Sequence, residues 1–142
     1  MISYFCNEAV LQLEDVYSLV DRTRQHLEIV TETGVELQLV IERRRMEANE
    51  TLGTSIEASV QERKRSLRGF ELLSTTQREY PAVIGTETRL TYIDKERGPV
   101  FHHEFHCVVD GTLIGYVGSC RVAQAAACDP WMQSALHYLK LR

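Results

Sequence analysis

In the run His102-His103-Glu104-Phe105-His106, a histidine, a glutamate and a histidine fall at alternate positions. Alternate residues of a β-strand share one face, so His102, Glu104 and His106 form a row of side chains of the types that ligate zinc or another divalent ion. Neighbours in such a row stand about 6.6 Å apart along the strand, which is wide for two ligands on one ion. No downstream His-x-x-His or cysteine pair completes a shell. The competing reading is a polar strand face beside water, or histidines hydrogen-bonded at an interface. Nucleophilic chemistry has less to build on. Gly118-Ser119-Cys120 is a fragment of a Gly-x-Ser-x-Gly elbow without a helix start behind it. Phosphate-cradling glycine loops are absent from the sequence. Glu14, Asp15 and Asp21 are close in sequence but lack the apolar setting that raises a carboxyl pKa. The residues therefore point to a binding protein, not an enzyme, with no cofactor and no metal.

The 142 residues suit one compact domain, read as spanning 1–142. A hydrophobic share of 44% and a charged share of 25% are those of a folded globular chain. Net charge is −4, and nucleic-acid binding needs clustered Lys and Arg. Two clusters occur, Arg43-Arg44-Arg45 and Arg63-Lys64-Arg65 with Arg68, but Glu42, Glu47, Glu50, Glu57 and Glu62 dilute them. They read as solvated faces, and nucleic acid is not expected as a partner. Cys6, Cys107, Cys120 and Cys128 have no metal-site spacing. With no secretory leader pattern at the start, they read as free thiols in a reducing compartment. Cys107 and Cys120, set in apolar runs, read as buried and inert. No stretch is long and apolar enough to span a bilayer, so a cytoplasmic protein without stable membrane association is expected.

The elements that position these residues follow from periodicity. Residues 1–13 alternate loosely and suggest an edge strand or ordered arm. Residues 20–30 are strand-like, with Leu27 and Ile29 on one face and His26 and Glu28 on the other. After a turn at Gly34, residues 35–42 put Val35, Leu37, Leu39 and Ile41 on one side and Glu36, Gln38, Val40 and Glu42 on the other. Leu52, Ile56, Val60 and Leu67, with Arg63 among them, form one helical stripe over 51–67, stopped at Arg68-Gly69. Phe70, Leu72 and Leu73 lead into a short strand. Strands follow over 84–93, 100–109 and 112–122, the last two joined by the hairpin signal Asp110-Gly111. Asp129 is placed as the cap of a final helix with Pro130 at its first position, and Trp131, Leu136 and Leu139 dock it. The pattern predicts an α+β domain with one twisted antiparallel sheet and helices packed on one face. A sheet face left uncovered and of mixed polarity is then an interaction surface.

The order NEAVLQL, DRT, LQLVIERR, ETL, a helix with GFELL, PAV and a hairpin through VVDG, running from Asn7 to the closing Leu139-Lys140-Leu141-Arg142, resembles the Eag chaperones of type VI secretion systems. Where that family has a Pro-Gly-containing turn, this chain has LEDVYSLVD. The resemblance implies a PsbP-like fold, a curved antiparallel sheet with helices on one side. It also implies a bacterial cytoplasmic homodimer whose sheet faces form a groove. That groove shields the N-terminal transmembrane helices of a secreted effector until the effector is loaded onto the secretion spike. An apolar helix of about 20 residues exposed in cytosol would otherwise aggregate or insert. Carried onto this chain, the groove positions fall at His26 and Glu28, at Gln38 and Val40, near Ser59 or Gln61 on the helix, and about His102 and Glu104. The groove is thus more polar than the family pattern. A small-ligand or metal-binding PsbP-like domain using His102, Glu104 and His106 is the second reading.

Overall fold

The computed structural model describes residues 2–5, 9–23 and 26–141; Cys6, Asn7 and the closing Arg142, named above, lie outside them. Among the described residues a small sheet is made by β1 (Ile2–Phe5), β2 (Ala9–Leu13) and β10 (Lys140–Leu141), in the order β1-β2-β10. The large sheet is seven-stranded and antiparallel. It contains β3 (Val16–Thr23), β4 (His26–Thr31), β5 (Glu36–Arg45), β6 (Glu71–Glu79), β7 (Ile84–Asp94), β8 (Gly98–Val109) and β9 (Thr112–Arg121), in the order β3-β4-β5-β9-β8-β7-β6. Helix α1 (Leu52–Ser66) connects β5 to β6, and α2 (Ala125–His137) follows β9. The expected α+β antiparallel architecture is therefore present.

Strand pairing assigns every side chain of the large sheet to a face, because directly paired residues point the same way. Leu27, Ile29, Leu37, Leu39 and Ile41 share a face with Tyr116, Ile114, Phe101, Phe105 and Cys107. All of these are buried in one cluster with Ala9, Leu11 and Leu13 of β2 and Cys128, Met132, Ala135 and Leu136 of α2. This is the closed face. Gly118 lets α2 approach it, since a Cβ there would lie 2.5 Å from Met132 Sδ. Trp131 Nε1 donates to the Glu14 carbonyl at 2.8 Å and Ser134 Oγ to the Glu14 carboxylate at 2.7 Å, which ties α2 to the end of β2.

The placement of the helices on one face is corrected in one respect. α2 and the small sheet cover the closed face, whereas α1 lies across β7 and β8 on the other, buried there through Ile56 and Val60. The reason is Arg63. It belongs to the apolar stripe, and its guanidinium meets Glu104 on β8 at 2.6 Å, opposite in pleat to Phe105. Thr51 caps α1 through a reciprocal pair with Thr54, at 3.2 and 3.1 Å.

A second correction concerns Asp129. The helix starts five residues earlier, at Ala125, behind a 3₁₀ turn over Val122–Gln124, so Pro130 lies inside it. The Ala125-Ala126-Ala127 run favours helix. The Asp129 carboxylate is instead drawn to Arg89 Nε at 2.7 Å and His103 Nδ1 at 2.6 Å. The strand after α1 is also longer than the short one expected, nine residues along the sheet edge. Asp110 and Gly111 take φ of 49° and 75°, the conformation of the tight hairpin turn expected there. Among the described residues no helix is long and apolar enough to cross a membrane.

Candidate functional site

The second face of the large sheet is only half covered. Pairing places on it His26, Glu28 and Val30 of β4 beside Val40, Gln38 and Glu36 of β5. Gln38, Val40, Glu42 and Arg44 then pair with Ser119, Val117, Gly115 and Leu113 of β9, and these with His102, Glu104, His106 and Val108 of β8. α1 roofs the β8 end of this array, Leu113, Val117 and Ser119 of β9 are buried beside it, and the β4–β5 part stays open. The result is a trough along β5, walled by α1 on one side, with the half-buried Val40 at its middle and the buried Val117 beneath the wall.

Two hollows mark the ends of the trough. One, about 200 Å³, is lined by Glu42, Arg44, Ser55, Ser59, His106 and Gly115. The other, about 390 Å³, is lined by Glu28, Glu36, Gln38, Arg97, Ser119 and Arg121. From Glu36 to Arg44 the floor runs eight residues, about 27 Å at the strand rise. A helix of roughly 18 residues has the same length.

Beneath α1 a polar chain fastens helix to sheet. Arg63 Nη1 donates to Glu104 Oε2 at 2.6 Å, and the same oxygen lies 2.8 Å from His102 Nδ1. His102 Nε2 lies 3.3 Å from Tyr92 Oη, with the two rings edge to face. Glu104 is 3% exposed. Burial alone would raise its pKa. The hydrogen bond with His102 and the charge and hydrogen bond of Arg63 outweigh that and hold it down to about 2. His106, next in the row, has a buried Nδ1 without a hydrogen-bond partner, and burial lowers its pKa. Gly115 makes room for its ring, since a Cβ there would sit 2.8 Å from His106 Nε2.

Of the residues read from sequence as groove positions, His26, Glu28, Gln38 and Val40 come together on the open floor. His26 Nε2 and Gln38 Oε1 are 3.2 Å apart. Ser59 stands on the flank of α1 that lines the smaller hollow. Gln61 does not join them. Two residues on from Ser59 it has turned about 200° around the helix, and it is exposed on the far flank. His102 and Glu104 share the sheet face but lie under α1, where Arg63 occupies the carboxylate. They are corrected from contact residues to the anchor of the trough wall. The same guanidinium at 2.6 Å opposes a cation on the His102–Glu104–His106 row, and among the described residues no group of three or more His, Cys, Asp or Glu is placed to hold a metal ion.

Sequence reasoning missed Arg97, Ser119 and Arg121 at the larger hollow. It also missed a buried cluster on the closed face. There Glu87, 1% exposed, accepts from Tyr80 Oη and lies 2.6 Å from Arg89 Nη2 and 3.3 Å from His103 Nε2, while Asp129 closes the ring from α2. Burial pushes Glu87 up; contact with His103, the Tyr80 hydrogen bond and the charges of His103 and Arg89 bring it down to about 2. The thiols of Cys107, Cys120 and Cys128 are buried, those of Cys120 and Cys128 against each other.

No family model matches the sequence, and no curated protein sequence does. The fold does have solved counterparts. LpqN of Mycobacterium tuberculosis, involved in cell envelope biogenesis, matches with a TM-score of 0.69 at 10% identity, over 94% of this chain and 82% of its own. The cyanobacterial PsbP protein CyanoP of Synechocystis matches at 0.61 and 11% identity, over 94% and 86%. A Pseudomonas aeruginosa protein of unknown function, PA94, matches at 0.63 and 12% identity, over 72% and 70%. At these identities the likeness shows the fold alone: a PsbP-like α+β domain.

Proposed function

We propose that this chain is a bacterial cytoplasmic chaperone or adaptor. It holds the N-terminal apolar helical segment of a type VI secretion effector and keeps that segment from water until the effector reaches the secretion spike. The observation that carries the reading is the open trough along β5, about 27 Å long, with the half-buried Val40 at its centre and Gln38 and His26 beside it. An apolar helix spanning a hydrocarbon core of about 30 Å needs a cradle of that length. Helices of this kind pack through shape and a few side-chain hydrogen bonds, which hydroxyl and amide groups supply. One trough covers one side of a helix. Two copies facing each other would cover both, so the working unit is a homodimer around the client segment. The metal-binding alternative loses ground to the Arg63–Glu104 pair.

The test is co-expression with the N-terminal region of a type VI effector that bears an apolar helix of about 20 residues, followed by size exclusion with light scattering. The expected result is a soluble complex of two copies of this chain per segment, with the segment insoluble alone. Val40→Asp should abolish the complex while the variant still folds. A segment that stays insoluble beside the unmodified chain would overturn the reading.

A further inference from the structure

At the larger hollow one guanidinium makes no direct ion pair among the described residues, with only the charge of Asp94 acting on it from the turn. Arg97 sits in the β7–β8 turn and leans over the open face, where its Nη2 donates to Ser119 Oγ at 3.2 Å. A second neutral contact is the Tyr92 hydroxyl. Among the described residues Arg97 makes no ion pair. Of the two carboxylates in the turn, Glu96 is exposed, and Asp94 Oδ1 accepts the backbone N–H groups of Glu96 and Arg97 at 2.9 and 3.0 Å while its charge still reaches Arg97. Those bonds, with Gly98 at a φ of 75°, fix the turn and hold Arg97 in place. Arg97 as a whole is half-buried. A guanidinium carries five donors in a planar fork, and its best partner is a carboxylate taken in bidentate fashion.

The surroundings have a direction. Arg121, on β9 two residues beyond Ser119, shares the face of Ser119 and lines the same hollow. Glu28 and Glu36 line the opposite wall across Gln38. An anion entering here is steered to the Arg97–Arg121 side and repelled from the other.

We infer that the Arg97 end of the trough is a carboxylate-binding subsite, formed by Arg97, Ser119 and Arg121, which takes an acidic side chain flanking the apolar segment of a bound polypeptide. This rests on the proposed trough function and adds a polarity to it: the client lies with its acidic flank at the Gln38–Ser119 end and its other end toward Glu42 and Ser59. The valine floor selects for an apolar stretch, and the arginine end fixes direction.

Two measurements separate the subsite from the trough. In the first, fluorescently labelled, C-terminally amidated 20-residue Leu/Ala helical peptides ending in Asp or in Asn are titrated with the full chain at low salt. The Asp peptide should bind on the order of tenfold to a hundredfold more tightly, as a charge-assisted pair does. Arg97→Met should remove the preference, so that the Asp and Asn peptides bind the variant alike. Equal binding of the two peptides to the unmodified chain would overturn the subsite while leaving the trough standing. In the second, the labelled chain is titrated by NMR with millimolar N-acetylaspartate capped as its α-amide, with the α-amide of N-acetylasparagine, which has no carboxylate, as control. Shifts at the Arg97 Nε–H and the Ser119 amide with the acid only are expected. If no peptide binds but these shifts appear, the trough reading falls and the subsite survives. No shift with N-acetylaspartate overturns the subsite.

Discussion

Against each face of the seven-stranded sheet a glutamate, a histidine and a tyrosine join an arginine in a polar cluster that fastens a helix. On the closed face Glu87, Arg89, His103 and Tyr80 meet Asp129 of α2. On the open face Glu104, His102 and Tyr92 meet Arg63 of α1. The difference lies in what surrounds them. α2 adds Cys128, Trp131, Met132, Ala135 and Leu136 to a continuous apolar core, whereas α1 buries Ile56 and Val60 outside that core. Apolar burial holds α2, and its polar cluster chiefly fixes position. α1 depends far more on its ion pair. A sheet can thus be stable through one face and keep the other for a partner.

The largest expected effect tests that division directly. Phe105, fully buried on the closed face with Tyr80 edge to face at 5.2 Å, should cost about 3–5 kcal/mol on replacement by alanine. Val40→Ala, on the open floor, should change stability by less than about 1 kcal/mol. Urea denaturation measures both. Comparable losses would mean that the open face is part of the core and not a docking floor.

Acid should separate the two clusters next. Glu87 and Glu104 each have a folded-state pKa of about 2 against an ordinary 4.5. The unfolded chain therefore binds protons first as pH drops. The stability they contribute is complete above about 4.5 and is lost between there and about 2. Breaking a buried pair costs about 3–5 kcal/mol, less where a partner such as Arg63, 19% exposed, still reaches water. Glu87→Gln should lower the global denaturation midpoint. Glu104→Gln should act mainly on α1, raising amide hydrogen exchange across 52–66 while the β8–β9 amides stay protected. Uniform exchange in both variants would show that α1 is not separately held.

Much of this architecture was legible because it is local. The alternation of Leu37, Leu39 and Ile41, and the four-residue steps Leu52, Ile56 and Val60, are periodicities a short window contains. They correctly gave β5, α1 and the shared face of His26, Glu28, Gln38 and Val40. What stayed hidden depends on distance along the chain. Arg63 finds Glu104 41 residues away, and Asp129 finds Arg89 across 40. Those contacts turned an apparent ligand row into an anchor and an apparent helix cap into a clasp. Arg97 looked like turn composition because only the fold brings it over Ser119. The side of the sheet on which α1 lies was not readable from its stripe, since an apolar stripe fits either face.

The smallest effect concerns His106, the one member of the histidine row that Arg63 does not engage through a partner. Its ring lies on the open face under the edge of α1. The charges of Glu104 and Glu42 pull its pKa up and that of Arg63 pushes it down, but burial is the largest influence and the net shift is downward. A histidine with a lowered folded pKa stays neutral in the fold while the unfolded chain takes up a proton near 6.5. Stability should therefore decline as pH falls from about 7 toward 5.5, before either glutamate titrates. His106→Gln removes the titrating group and should flatten that part of the curve relative to the unmodified chain, leaving the acid limb below 4.5 in place. Superimposable curves between pH 7 and 5.5 would show that His106 is as well solvated in the fold as out of it, and that the hollow beside Gly115 opens to water more freely than the roof of α1 suggests.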